Sequence, residues 1–333
     1  MNSFDEECRD SDGQVFVRYT WQEIADYITI ARAGIFKFYL THRGGLIEQV
    51  SPTNSPSVLI ACHPGHEVRL HGWLGRARPR VFILTDGSGL YGQPRIKATA
   101  GYLAEMGLEQ GSIFGRLTDR AMYQALLDYD FQTFIKLSDE LAGAIAGESV
   151  ECVAGDAAEG FNTSHDVCRL LINTAVEMAN RSSHRPIRSF DFPIINRPDA
   201  CPPHLHQAAI WLNLDQQTFE HKISAAKRFY PEIFAEVEEA LSGKGERPMK
   251  AFLERQKTAQ DETAKSGLEM FRIECLRPAG GMSQEQDFTR ETPFYEVQSE
   301  KLQREGHFSR VIRYEEHIRP LADALTAHLE RSV

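Results

Sequence analysis

The chain has 333 residues, 42% hydrophobic and 25% charged, with a formal net charge of −10. Together with a mean hydropathy of −0.38, this is the composition of a globular protein long enough for one large α/β domain plus extensions, and it excludes a disordered polymer. The acidic balance argues against a nucleic-acid backbone or an anionic lipid surface as the main partner, because both select a basic footprint.

Residues 19–40 place Trp21, Ile24, Ala25, Ile28, Ala31, Ile35 and Phe36 mostly at helical spacing behind Thr20 as an N-cap, which predicts a helix in front of the main domain. After the turn-rich stretch 51–56, strands and helices alternate. The pattern predicts a strand over 57–62, a helix over 66–75, a strand over 81–85, a glycine-rich turn with a helix over 94–107, and a short strand near 112–115. It continues with a helix over 120–146, a strand over 150–154, a helix over 165–180 and an apolar stretch over 187–195. Amphipathic helices follow over 215–241 and 248–270, parted at Gly243-Lys244-Gly245, and the chain closes with a helix over 314–329. Repeated strand-then-helix units at this spacing predict right-handed crossovers, so the expected class is α/β. The expected form is a Rossmann-like, mostly parallel sheet with helices on both faces, plus helical N- and C-terminal extensions. The expected division is an N-terminal extension over 1–55, a metal-binding α/β domain over 56–270, and a C-terminal segment over 271–333 packing on that domain.

No apolar run approaches the roughly 18 residues of a membrane span. Met1 to Asp12 lacks the basic and apolar regions of a secretory leader. The six cysteines, Cys8, Cys62, Cys152, Cys168, Cys201 and Cys275, form no C-x-x-C pair, which suits a reducing cytoplasm better than a disulfide framework.

The most informative stretch is the apolar strand 57–62 running into His63-Pro64-Gly65-His66-Glu67. A Pro-Gly pair forces a turn there, so both imidazoles should stand at the carboxyl end of a strand, the edge where open α/β sheets bind ligands. A second loop, Gly155 to Asp166, follows another predicted strand and holds Asp156, Glu159 and His165. Its acids read as ligands, a general base, or helix-start residues favoured by the macrodipole. Two strand-end loops bearing histidines together suggest one shared metal site. The turn Asp86-Gly87-Ser88-Gly89-Leu90-Tyr91-Gly92 matches G-x-G-x-x-G, but the next strand lacks the acidic residue that a dinucleotide ribose requires. A flexible site-forming loop is the preferred reading over nucleotide binding, and His204-Leu205-His206 reads as surface loop. No nucleophile elbow G-x-S-x-G is present, which argues against a serine hydrolase.

The segments Ala61-Cys62-His63-Pro64-Gly65-His66-Glu67, Thr85-Asp86-Gly87, Arg95 with Met106-Gly107, and Asn162-Thr163-Ser164-His165 together resemble the PIG-L/LmbE-like N-acetylglucosaminyl de-N-acetylases. The stretches Pro293 to Glu296 and Val311 to His317 look like bacterial members of that group, so the resemblance runs over roughly 56–320. It implies a zinc-dependent hydrolase, or one using iron(II), cobalt or manganese, that acts on an N-acyl amino sugar or a related small N-acyl compound. The resemblance implies His63 and His165 as ligands, with His66 in place of the family's ligand aspartate. It also puts Gly65 where the family has its general base, and Asn162 where a second histidine assists the tetrahedral intermediate. Asp156, Glu159, Glu67 and Asp86 are the candidate replacement bases, with Asp156 and Glu159 placed best; Asn162 is expected to donate to the oxyanion, and Asp86, Arg95 and Glu67 to contact substrate. The alternative is a scaffold that keeps its metal but has lost deacetylation and serves in binding or in a different metal-assisted reaction. The oligomeric state is not legible from the sequence.

Overall fold

The computed structural model describes residues 8–9, 15–16, 55–89, 92–183, 186–242, 267–280 and 292–332. The chain divides into two compact units, Met1–Gln49 and Val50–Val333. In the first, the described residues form an antiparallel pair, β1 (Cys8–Arg9) with β2 (Val15–Phe16). The helix expected over 19–40 and most of the one expected over 248–270 lie outside the described residues.

The second unit is built on a sheet of β3 (Ser57–Ala61), β4 (Arg80–Thr85), β5 (Gln110–Leu117), β6 (Cys152–Asp156), β7 (Arg188–Phe192), β8 (Ile210–Asn213) and β9 (Ile273–Pro278). The strand order is β5-β4-β3-β6-β7-β9-β8. The run from β5 to β7 is parallel, and β9 and β8 add antiparallel at the edge. The α/β class expected from the alternation is therefore the class the chain adopts. The order reverses between β3 and β6, and the crevice outside their carboxyl ends is where such sheets take ligands.

The helices are α1 (His71–Ala77), α2 (Ile96–Met106), α3 (Asp119–Leu127), α4 (Phe131–Gly147), α5 (Thr163–Ser183), α6 (Gln216–Phe229), α7 (Pro231–Ser242), α8 (Phe294–Arg304) and α9 (Arg319–Arg331). They cover both faces of the sheet. Val58 and Ile60 of β3 join one core with Phe134 of α4, Leu171 of α5 and Leu321 of α9. Leu59 and Ala61 join the other with Trp73 of α1, Tyr102 of α2 and Phe219 of α6. Alternate side chains of a strand point to opposite faces, so a strand covered on both sides must be apolar throughout.

Four differences from the sequence expectation have local causes. The helix expected over 120–146 is two helices, because Tyr129 takes a left-handed φ of 57° between two aspartates that favour a turn. The helix expected over 215–241 breaks at Tyr230-Pro231, where the proline lacks an N–H and opens α7. Strand β6 ends two residues later than expected, which makes Asp156 the last strand residue rather than a loop residue. The pair β8–β9 was not expected, since Glu274 interrupts the apolar run of β9. Buried Glu274 accepts the backbone N–H of Gly72 and Trp73 at 2.9 Å each and pairs with Lys222 Nζ at 2.9 Å, so a charged residue serves a strand interior.

Helix α6 begins with Asp215, whose carboxylate accepts the Thr218 N–H at 2.8 Å. Asp215→Ala should cost about 1 kcal/mol, measured by denaturant unfolding, without altering metal content.

Candidate active site

His63 follows β3, His66 follows the Pro64-Gly65 turn, and His165 lies in the first turn of α5. Their rings converge. The centroids are 5.3 Å apart for His63 and His66, 5.2 Å for His63 and His165, and 4.6 Å for His66 and His165. His63 and His165 are buried, and His66 is half-buried.

Hydrogen bonding fixes the protons on two of the rings. Thr85 Oγ1 donates to the Cys62 carbonyl at 3.1 Å, so at its 2.8 Å contact with His63 Nδ1 it accepts. Asp119 Oδ1 lies 3.0 Å from the same nitrogen. Asp156 Oδ2 accepts the Cys62 N–H at 2.8 Å and His66 Nδ1 at 2.8 Å. Both Nδ1 atoms therefore carry hydrogen, so Nε2 is the nitrogen that bears the lone pair in the neutral ring. Buried side-chain atoms without a hydrogen-bond partner gather in the same place. They include His63 Nε2, His165 Nδ1 and Asp156 Oδ1.

Burial lowers the pKa of His63 against the opposing pull of Asp119. Burial, and then the two neighbouring imidazoles, push His165 well down. Burial would raise the Asp119 carboxyl, but the adjoining His63 and the Gly89 N–H outweigh it and hold it well below the usual carboxylate range. His63 and His165 are thus held toward the neutral form a cationic metal requires, and carboxylates stand behind His63 and His66.

The spacing bears on the same point. A metal bonded to imidazole nitrogen at about 2.0–2.1 Å lies about 3.2 Å from the ring centre, so tetrahedral imidazoles keep their centres about 5 Å apart. As placed, no group of three His, Cys, Asp or Glu side chains among the described residues is arranged to hold a metal ion. The fit is therefore one of ring spacing, tautomer and donor chemistry.

The other expected residues fall in different places. Asp156 stands directly behind His66. Asn162 precedes α5, and its Oδ1 accepts the Ser164 N–H at 2.9 Å. Asp86 is buried and its Oδ1 accepts the Ser88 N–H at 2.9 Å. Arg95 donates its N–H to the Asp86 carbonyl at 2.8 Å, and its guanidinium lies beside Gly87. Glu159, expected as a base, instead has both oxygens occupied by the N–H groups of Ile194, Ile195 and Asn196 at 2.8 to 2.9 Å. Glu67, expected at the substrate, is fully buried, accepting the Gly65 N–H at 2.9 Å and the Tyr230 hydroxyl. It points inward because its short 3-10 turn (Glu67–Leu70) packs under the α6–α7 corner. Burial raises its pKa.

Gly65 has φ +103°, and a Cβ there would lie 2.8 Å from Ile233 Cδ1 and 3.4 Å from the Tyr230 ring. The start of α7 thus fills the space into which a side chain at 65 would project.

Sequence reading missed Asp119, Thr85 and Tyr123. Thr118-Asp119 repeats at the end of β5 the Thr85-Asp86 pair at the end of β4. A threonine N-cap followed by an acid at a strand end was the available signal.

No protein-family model matches the chain, and no curated protein matches it. Among solved structures, the chain is similar to A40926 pseudoaglycone deacetylase, at 17% identity and a TM-score of 0.41 over 67% of this chain and 96% of that one. It is also similar to a zinc-inhibited form of teicoplanin deacetylase, at 14% identity and a TM-score of 0.41 over 67% and 97% of the two chains. A triple mutant of a deacetylase from the teicoplanin biosynthetic pathway aligns at 14% identity and a TM-score of 0.38, with the same coverage. Likeness at this distance transfers no residue role. Among the described residues no helix is long and apolar enough to cross a membrane.

Proposed function

We propose that the protein is a metal-dependent amide hydrolase of the de-N-acetylase type, acting on an N-acyl amino sugar or a related small N-acyl compound. The observation that carries this reading is the convergence of three imidazoles at the switch point of the parallel run of the sheet, two of them backed by buried carboxylates.

His63, His66 and His165 would hold the metal. Zinc suits three imidazoles, and iron(II), cobalt or manganese is compatible with them. Bound there, the ion supplies Lewis-acid polarisation of the acyl carbonyl and an acidified water. Asp119 and Asp156 keep hydrogen on Nδ1 of His63 and His66, and so present Nε2. Asp156, with Oδ1 unpartnered, is the proposed proton acceptor in preference to Glu159. The Asn162 amide donates to the developing oxyanion, and Arg95 and Asp86 contact the substrate at the edge of the site.

Metal analysis by inductively coupled plasma mass spectrometry on the wild type, His63→Ala and His165→Ala tests the centre. We expect one ion per wild-type chain, lost in both variants, and release of acetate from N-acetylglucosamine conjugates by the loaded protein. A wild type that stays empty when zinc is supplied overturns the reading. A second reading, a metal-holding scaffold without deacetylation, is favoured by one observation: position 65 has φ +103°, a backbone conformation that strains any side chain placed there. One bound ion without turnover of any N-acyl compound selects it.

A further inference from the structure

Asn162 is a half-buried residue whose side chain has one acceptor atom and one donor atom, and only one orientation satisfies its surroundings. The Ser164 backbone N–H, 2.9 Å away, can only donate, so the atom facing it is Oδ1. A second donor reaches the same oxygen, the hydroxyl of Tyr123 at 3.1 Å. With both lone pairs of Oδ1 engaged, Nδ2 is turned away from the helix end, and among the described residues no acceptor takes its hydrogens.

Tyr123 comes from α3, one helical turn after Asp119. Residues four apart share a helix face, and here the two serve two parts of one site. Asp119 sits behind His63, while Tyr123 reaches Asn162, three residues before His165. The phenol is largely enclosed. Burial pushes its pKa up to about 12, so it remains a donor at any working pH.

We propose that Tyr123 is a positioning residue that locks the Asn162 amide with Nδ2 available as a hydrogen-bond donor to an oxygen of the bound acyl group. The role of the amide rests on the hydrolase reading, whereas the lock itself does not. An N-cap asparagine held only by Ser164 can rotate about its terminal bond at the cost of one hydrogen bond. The Tyr123 hydroxyl adds a second that rotation must also break.

The test uses the metal-loaded full chain as wild type, Tyr123→Phe, Asn162→Ala and the double variant, with an aryl N-acetylglucosaminide as probe. Removing a donor to the oxyanion costs about 100-fold or more in kcat, and loosening that donor should cost less. We expect Tyr123→Phe to lower kcat about tenfold with KM within twofold, Asn162→Ala to lower it further, and the double variant to match Asn162→Ala alone. An unchanged kcat in Tyr123→Phe, or losses that multiply in the double variant, overturns the proposal.

Should the wild type turn over no N-acyl probe, the hydrolase reading fails and the lock is read by nuclear magnetic resonance. The Asn162 side-chain NH2 pair is assigned by its loss in Asn162→Ala. It should shift and exchange faster in Tyr123→Phe, and an unaltered pair overturns the lock.

Discussion

Gly65→Asp, which installs a carboxylate between His63 and His66, is expected to destabilise the protein rather than create a base. The native φ of +103° is a glycine conformation, and a Cβ would stand 2.8 Å from Ile233 Cδ1. Backbone strain of about 1–3 kcal/mol adds to overpacking of about 1–3 kcal/mol, which places the loss at about 2–6 kcal/mol. In a chain of this length that is a fall in Tm on the order of 10 °C. Differential scanning calorimetry reads it, and acetate release from N-acetylglucosamine conjugates reads the chemistry. Adding Ile233→Ala should return part of the lost stability, since it removes the nearest obstructing atom. A Gly65→Asp protein with unchanged Tm and faster turnover would show that the loop yields easily and that the α7 corner does not wall off this position.

The same corner shows why the site was only partly legible in the sequence. The His-Pro-Gly-His turn could be read because a fully apolar strand must be covered on both faces, and a Pro-Gly pair at its end puts the histidines at the ligand-binding edge. His165 could be paired with them because its loop follows a second such strand. The closure of position 65 could not be read. It depends on Ile233 and Tyr230, more than 160 residues downstream, and on a Glu67–Tyr230 hydrogen bond that no spacing rule contains. Asp119 was hidden by a boundary, since the helix was expected to begin at 120 and the N-cap pair fell between elements. Glu159 in its loop and Glu67 at a helix start looked available because a carboxylate is exposed by default. Three backbone N–H groups from the 194–196 turn claim Glu159, and an inward-facing 3-10 turn claims Glu67.

Asp156→Asn is expected to separate charge from geometry at the centre of the site. In catalytic dyads an asparagine often turns its NH2 toward the imidazole and selects the wrong tautomer. Here the Cys62 N–H and His66 Nδ1 converge on one oxygen, Oδ2 of Asp156, at 2.8 Å each. The Cys62 N–H can only donate, so the asparagine must keep its oxygen at that position, and His66 must keep its hydrogen on Nδ1. The variant then loses the negative charge behind the imidazole with the tautomer intact. Weakening a carboxylate that supports a metal-binding histidine lowers metal affinity about 10- to 100-fold, which competition against a chelating dye measures. At saturating metal the two roles of Asp156 part. If its carboxylate is also the proton acceptor, kcat falls a further 10²- to 10⁴-fold or so, whereas Glu159→Gln, bound to backbone on both oxygens, leaves kcat near wild type and lowers Tm. Equal kcat in wild type and Asp156→Asn at full metal occupancy would restrict Asp156 to orienting His66. The base would then have to be sought at Asp86, the remaining expected acid at this edge of the sheet.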